Sequence, residues 1–223
     1  MFCSDLWLAS LRRPRPAEPD GAAPPVPKNV SPPVVHSNSQ SSFMIRGPVG
    51  VESSKRILGI DPGLHVAGYG LVEIGSRGIV LREAGVIRTG SHRSLAQRLD
   101  EIYRGLREIL DAWHPAVMAL EELYSHYQRP RTAILMGHAR GVICLAAAQA
   151  GMPVVSYAAT QIKRILTGSG RAPKAQVQRA IQRELGLAHV PHPPDVADAL
   201  AAALCHYYLK EKPAAMPAPR ARG

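Results

Sequence analysis

Hydrophobic and polar positions change period twice along this chain. Between residues 56 and 89 the apolar residues come in short β-branched runs, at 56–61, 66–74 and 78–89. Gly63, Gly68, Gly70 and the turn Gly75-Ser76-Arg77-Gly78 punctuate them. Runs of this length bounded by turn residues read as strands, and their short connections predict antiparallel hairpins. Over 93–112 the period lengthens. Leu95, Leu99, Ile102, Leu106, Ile109 and Leu110 recur at the spacing that puts them on one face of a helix. A fourth strand, 116–121, follows Pro115, then a helix over 131–150 and a fifth strand over 153–156. Three more helices are predicted near 159–166, 173–185 and 194–209. A meander followed by helix–strand alternation gives an α/β fold. Its mixed five-stranded sheet has an antiparallel meander, then parallel strands, and helices on both faces.

The flanks show no such periodicity. Residues 1–54 hold nine of the twenty prolines and polar clusters such as Ser37-Asn38-Ser39-Gln40-Ser41-Ser42. Such a composition buries too little surface to offset backbone entropy, so a disordered leader is expected, with Met44 as the true start. Residues 210–223 read as a disordered basic tail. The folded domain is placed at 55–209, long enough for one good core.

Charge narrows the function. The net charge is +10 and the pI near 9.9, which favours a polyanionic partner. No acidic residue lies between Glu122 and Glu184, a stretch that holds Arg129, Arg131, Arg140, Lys163, Arg164, Arg171, Lys174, Arg179 and Arg183. A merely solvated face mixes signs, so this stretch is read as the phosphate-contacting part. Cys3, Cys144 and Cys205 are isolated, without zinc-site spacing or a disulfide framework, which fits a reducing cytosol. No run of 18 apolar residues predicts a membrane helix.

Against this basic background, four carboxylates stand out. Asp61 ends one apolar run and precedes Pro62-Gly63. Glu121 ends another. Asp195 and Asp198 open the apolar segment Asp195-Val196-Ala197-Asp198-Ala199-Leu200. Each has a plain structural alternative: Asp61 as a turn former, Glu121 as a solvent-facing strand end, Asp195 and Asp198 as helix-start acids. Helix capping needs only one acid, however, and a central strand that delivers Asp at its carboxyl end is how open α/β sheets build sites. Converging carboxylates repel unless a cation joins them, and hard oxygen ligands select Mg²⁺ or Mn²⁺. Glu122 competes with Glu121, but strand alternation sends the two to opposite faces. Gly63 and Gly68 would let a ligand approach closely. Gly168-Ser169-Gly170 could cradle a phosphate. His138 reads as a packed residue, and the histidines show no nucleophile–base pattern.

These motifs together resemble the RuvC-type Holliday junction resolvases of the RNase H-like superfamily. The resemblance rests on Gly59-Ile60-Asp61-Pro62-Gly63, Gly68-Tyr69-Gly70, Ala119-Leu120-Glu121-Glu122, Gly137-His138-Ala139-Arg140-Gly141, Gln161-Ile162-Lys163, Gly168-Ser169-Gly170, Lys174-Ala175-Gln176-Val177 and Asp195–Leu200, in the family's order over 56–209. It implies a metal-binding tetrad of Asp61, Glu121, Asp195 and Asp198. Lys163 and Lys174 would lie near the scissile phosphate. Arg140, from the acid-free basic stretch, is counted among the DNA-binding residues. The aromatic that enters the junction is Tyr124 or Tyr127. The stretch from Glu121 to Gly137 is one residue longer than the family pattern and lacks its Lys-Asn, which leaves both tyrosines open. The resemblance further implies a homodimer, a branch-migration helicase complex of the RuvA–RuvB type as partner, and a bacterial, cytoplasmic, nucleoid-associated setting.

The expected function is a structure-selective endonuclease that nicks four-way DNA junctions symmetrically with two Mg²⁺ ions, Mn²⁺ substituting, and leaves 5′-phosphates. The alternatives are an RNase H-like nuclease acting on RNA or RNA–DNA hybrid, a phosphotransferase of the actin and sugar-kinase fold, and a non-catalytic junction binder. The phosphotransferase would need a second domain for which the chain is too short. Retention of all four acids speaks against the non-catalytic binder.

Overall fold

The computed structural model describes residues 55–76, 78–122 and 130–212. The chain forms β1 (Arg56–Asp61), β2 (Val66–Gly75), β3 (Gly78–Arg88), α1 (Leu95–Trp113), β4 (Val117–Glu121), α2 (Pro130–Gln149), β5 (Val154–Tyr157), α3 (Ala159–Thr167), α4 (Lys174–Glu184) and α5 (Pro194–His206). The leader 1–54 and residues 213–223 lie outside the described residues.

The sheet order is β3-β2-β1-β4-β5. β1 pairs with β2, and β2 with β3, antiparallel. β4 pairs parallel with both β1 and β5. This is the mixed sheet the sequence predicts. Side-chain alternation along β1 and β4 then divides the interior into two cores. Ile57, Val117 and Ala119 pack with α3, α4 and α5 on one face. Leu58, Ile60, Met118 and Leu120 pack with α1 and α2 on the other. Both faces of these central strands are buried, which is why they read as nearly unbroken apolar runs.

Element ends follow local chemistry. Ser94 caps α1: its Oγ accepts from the Gln97 N–H at 3.3 Å, while Gln97 Oε1 accepts from the Ser94 N–H at 3.0 Å. This reciprocal box starts the helix two residues later than the apolar pattern predicts. The predicted 194–209 helix is α-helical only to His206. It then widens into a π-turn, Tyr207–Glu211, closed by the Lys212 N–H on the Tyr207 carbonyl at 2.9 Å. Glu211 accepts from Lys55 Nζ at 2.6 Å, so the ordered chain runs past the predicted tail boundary at 210. His138 is exposed rather than packed, with its ring Nδ1 2.8 Å from the Ile134 carbonyl oxygen.

Candidate active site

The division of faces decides where the acids go. Asp61 follows Ile57 and Gly59 on β1 at intervals of two, and Glu121 follows Val117 and Ala119 on β4 in the same way. Both are therefore directed to the face covered by α5. β1 and β4 are adjacent and parallel, so their carboxyl ends bring the two acids side by side. The first turn and a half of α5 adds Asp195 and Asp198 over the same edge. All four acids are half-buried, whereas Glu122 is exposed.

Glycine lets α5 come this close. A Cβ on Gly59 would stand 2.0 Å from the Ala199 carbonyl oxygen, and one on Gly68 would stand 2.1 Å from that of Asp195. Any side chain there would lift the helix and its two acids off the sheet. This corrects the expectation that Gly68 receives a ligand, because the helix that carries Asp195 fills that space. Gly63 likewise packs on the Val66 carbonyl.

The acids strain one another. Burial pushes Asp61 up to about 7, with Glu121, Asp198 and Asp195 adding to the rise and Lys174 opposing it. Glu121 is also pushed up to about 7, by burial and then Asp198, against Lys163 and Lys174. Lys174 Nζ donates to Asp198 Oδ2 at 2.6 Å. Burial works against the Lys174 ammonium. The hydrogen bond and charge of Asp198, with Asp61 and Asp195, outweigh burial and raise its pKa. Glu121, Lys163, Lys174 and Asp198 line one open cleft of about 200 Å³ floored by Ile162, Val177 and Ala201.

This donor set fits a hard divalent cation. It is all carboxylate oxygen, and a cation would offset the burial and repulsion that hold Asp61 and Glu121 partly protonated near neutrality. As they stand, no three acidic, histidine or cysteine side chains among the described residues close on a single point. Asp198 is instead drawn to Lys174, and a cation would have to displace that ammonium.

The remaining predicted residues separate into two groups. Arg131, Arg164, Arg171, Lys174, Arg179 and Arg183 are exposed, and Lys163 is half-buried at the cleft. Arg140 has partners within the fold. Its guanidinium is part-buried and donates through Nη1 to the Glu121 carbonyl at 2.7 Å and through Nη2 to Ser156 Oγ at 2.6 Å. One sequence signal could have exposed this. Arg140 sits in an acid-free helix beside Ala139 and Ile143, both buried. A guanidinium held there with no carboxylate must find backbone or hydroxyl acceptors. Gly168 is the left-handed cap that ends α3, φ 80°, which explains the glycine without a phosphate. Tyr124 and Tyr127 lie outside the described residues.

Comparison with known proteins follows the same residues. The sequence profile described as crossover junction endodeoxyribonuclease RuvC matches residues 57–206. A protein of that name from Rhodopirellula baltica is 54% identical over 161 residues, covering 72% of this chain and 90% of the relative. One from Moorella thermoacetica is 48% identical over 150 residues, covering 67% and 89%. Among solved structures, Thermus thermophilus RuvC in complex with Holliday junction substrate superposes with a TM-score of 0.67 at 32% identity, covering 73% of this chain and 98% of that one. The yeast mitochondrial Holliday junction resolvase Ydc2, at 13% identity and a TM-score of 0.51, shares the fold.

Proposed function

This chain belongs to the crossover junction endodeoxyribonuclease RuvC family, and from that premise we propose that it resolves four-way DNA junctions by symmetric, metal-dependent nicking. One observation carries the reading: Asp61 feels the charges of Glu121, Asp195 and Asp198, and Glu121 and Asp198 line one cleft with Lys163 and Lys174. Asp61, Glu121, Asp195 and Asp198 hold the metal. Two Mg²⁺ ions, with Mn²⁺ able to substitute, supply an activated water and charge stabilisation at the leaving oxygen when bound. Lys174, released from Asp198, and Lys163 face the scissile phosphate and stabilise charge developing on it. Water oxygen bonds to phosphorus, the P–O3′ bond breaks, and the 3′ oxygen takes up a proton. The products are a 5′-phosphate and a 3′-hydroxyl. The exposed arginines of α3 and α4 carry the phosphate backbone toward the cleft, and Tyr124 or Tyr127 opens the junction by stacking on a base.

A cleavage panel tests this. Four-way junction, duplex and RNA–DNA hybrid are offered to the full chain and to a truncation starting at Val51, each with Mg²⁺. Both proteins are expected to nick the junction in two symmetric strands and leave the duplex intact. Preferential cutting of the hybrid would replace the junction reading, and a dead truncation would show that the leader is part of the enzyme. Lys163→Ala and Lys174→Ala should lower the rate more than the affinity; equal losses would make them simple phosphate contacts. A 2-aminopurine at the crossover should brighten less with whichever of Tyr124→Ala or Tyr127→Ala removes the inserted ring. The family resemblance adds a branch-migration helicase complex as partner, in a bacterial cytoplasm at the nucleoid. Failure of such a complex to stimulate cleavage, or exclusion of a fluorescent fusion from the nucleoid, would remove those parts.

The homodimer has its own support. Ile134 and Leu145 on α2 are 61% and 51% exposed. Gly137 and Gly141 lie between them at helical spacing, and a Cβ on either would meet nothing within 4 Å among the described residues. An interior helical glycine costs about 1 kcal/mol relative to alanine, and no contact among the described residues accounts for two. A second copy of α2 lying across this stripe does, and two-fold pairing matches a two-fold junction. Leu145→Glu should sediment as a monomer at micromolar concentration where the wild type is a dimer. A monomeric wild type would end this reading.

A further inference from the structure

We propose that Arg140 is a positioning residue for Glu121, holding the strand end that carries this carboxylate through a guanidinium fork anchored on α2. The register of the sheet shows why a fork is needed there. β1 stops pairing with β4 at Ile60↔Leu120, one residue short of Glu121. On the other side β5 pairs Leu120 with Ser156 and Glu121 with Tyr157, and the Glu122 N–H donates to the Tyr157 carbonyl at 2.9 Å. The Glu121 carbonyl therefore sits where the ladder toward β1 has run out. Arg140 Nη1 meets it at 2.7 Å, and Nη2 meets Ser156 Oγ at 2.6 Å. One planar group ties the ends of two neighbouring strands to one helix, in effect an extra rung made by a side chain.

The connection has a direction. Glu121 precedes the segment that holds Tyr124 and Tyr127, and α2 begins just after it. Arg140 thus ties the strand entering that segment to the helix leaving it. The carboxylate is fixed through its own backbone, so loosening this clamp would leave the acid present but poorly aimed. Partners of metal ligands commonly change metal affinity or activity by about 10–100-fold when removed. Lysine carries the charge but has one point of attachment and cannot span both acceptors.

This inference rests on the assignment of Glu121 as a metal ligand, so the experiment includes Glu121→Gln. Mn²⁺ binding to the full chain is measured by isothermal titration calorimetry for the wild type, Arg140→Lys, Arg140→Gln, Ser156→Ala and Glu121→Gln. Junction affinity is measured by anisotropy without divalent metal at two salt concentrations. Both Arg140 variants should bind Mn²⁺ about tenfold more weakly. Ser156→Ala should lose less, because the Glu121 contact survives. Junction affinity should stay within about twofold, and raising the metal concentration should recover cleavage by the Arg140 variants. Unchanged Mn²⁺ affinity in Arg140→Lys overturns the proposal, and this variant decides the matter if Arg140→Gln melts below the assay temperature. A weaker junction complex with a salt slope reduced by about one would make Arg140 a phosphate contact instead. Wild-type Mn²⁺ affinity in Glu121→Gln would overturn the ligand assignment as well; its loss there, with Arg140→Lys unaffected, would overturn only the clamp.

Discussion

Asp61→Asn, Glu121→Gln, Asp195→Asn and Asp198→Asn should each abolish junction cleavage at millimolar Mg²⁺, with a loss of roughly three orders of magnitude in rate. The amide keeps the shape of the acid and removes the charge that holds a cation. Metal catalysis is worth several kcal/mol, and every ~1.4 kcal/mol is tenfold in rate. Junction binding without divalent metal should persist in all four, because removing a negative charge beside phosphate does not weaken attraction to it. Glu122→Gln is the control. Its side chain is exposed and stands outside the cleft that Glu121 lines, so it should cut within about twofold of the wild type. Gel-based single-turnover rates on a synthetic four-way junction decide the matter. An active Glu121→Gln beside a dead Glu122→Gln would mean the carboxylate used is one residue further along. Cleavage by all five would end the metal mechanism.

Much of the fold is legible in the sequence. Strand and helix positions followed from period, because the central strands are buried on both faces and α1 is buried on one. Alternation along β4 sends Glu121 and Glu122 to opposite faces, and the strand leading from Pro115 reaches Glu121 without a gap. The features that escaped depend on contacts between distant residues. Nothing local in Gly59 or Gly68 says that the approaching object is α5 of the same chain. The composition of Tyr207–Glu211 does not announce a π-turn. Charge sign alone places Arg140 in the basic stretch; its two acceptors, the Glu121 carbonyl and Ser156 Oγ, lie 19 and 16 residues away in sequence. A charge census sees which residues are basic but not which of them the fold has already used.

The same strain that fits the acids for a cation should make the metal-free protein less stable as pH rises. In the unfolded chain Asp61 and Glu121 ionise near 3.8 and 4.5, while in the folded protein both are pushed up to about 7 by burial and neighbouring acids. Between those values the folded state binds more protons than the unfolded one, so stability falls with increasing pH. The contribution is intact below about pH 4 and is lost as pH passes 7. The two groups are coupled, and their combined effect is on the order of several kcal/mol. His206 works in the opposite sense. Burial lowers its pKa, so the protein must bury a neutral ring that tends to charge as the solution falls below about 6.5. A difference profile removes it, since His206 is common to the wild type and Asp61→Asn. With chelator present, Asp61→Asn should melt above the wild type at pH 8, and the gap should narrow toward pH 5. Saturating Mg²⁺ at pH 8 should raise the wild-type melting temperature and leave that of Asp61→Asn nearly unchanged. Metal uptake near pH 6 should release protons, seen as a calorimetric heat that varies with the ionisation enthalpy of the buffer. A pH-independent difference between the two proteins would mean that neither burial nor neighbouring acids raise these carboxylates in the folded state, and the electrostatic case for a cation at this site would fall with it.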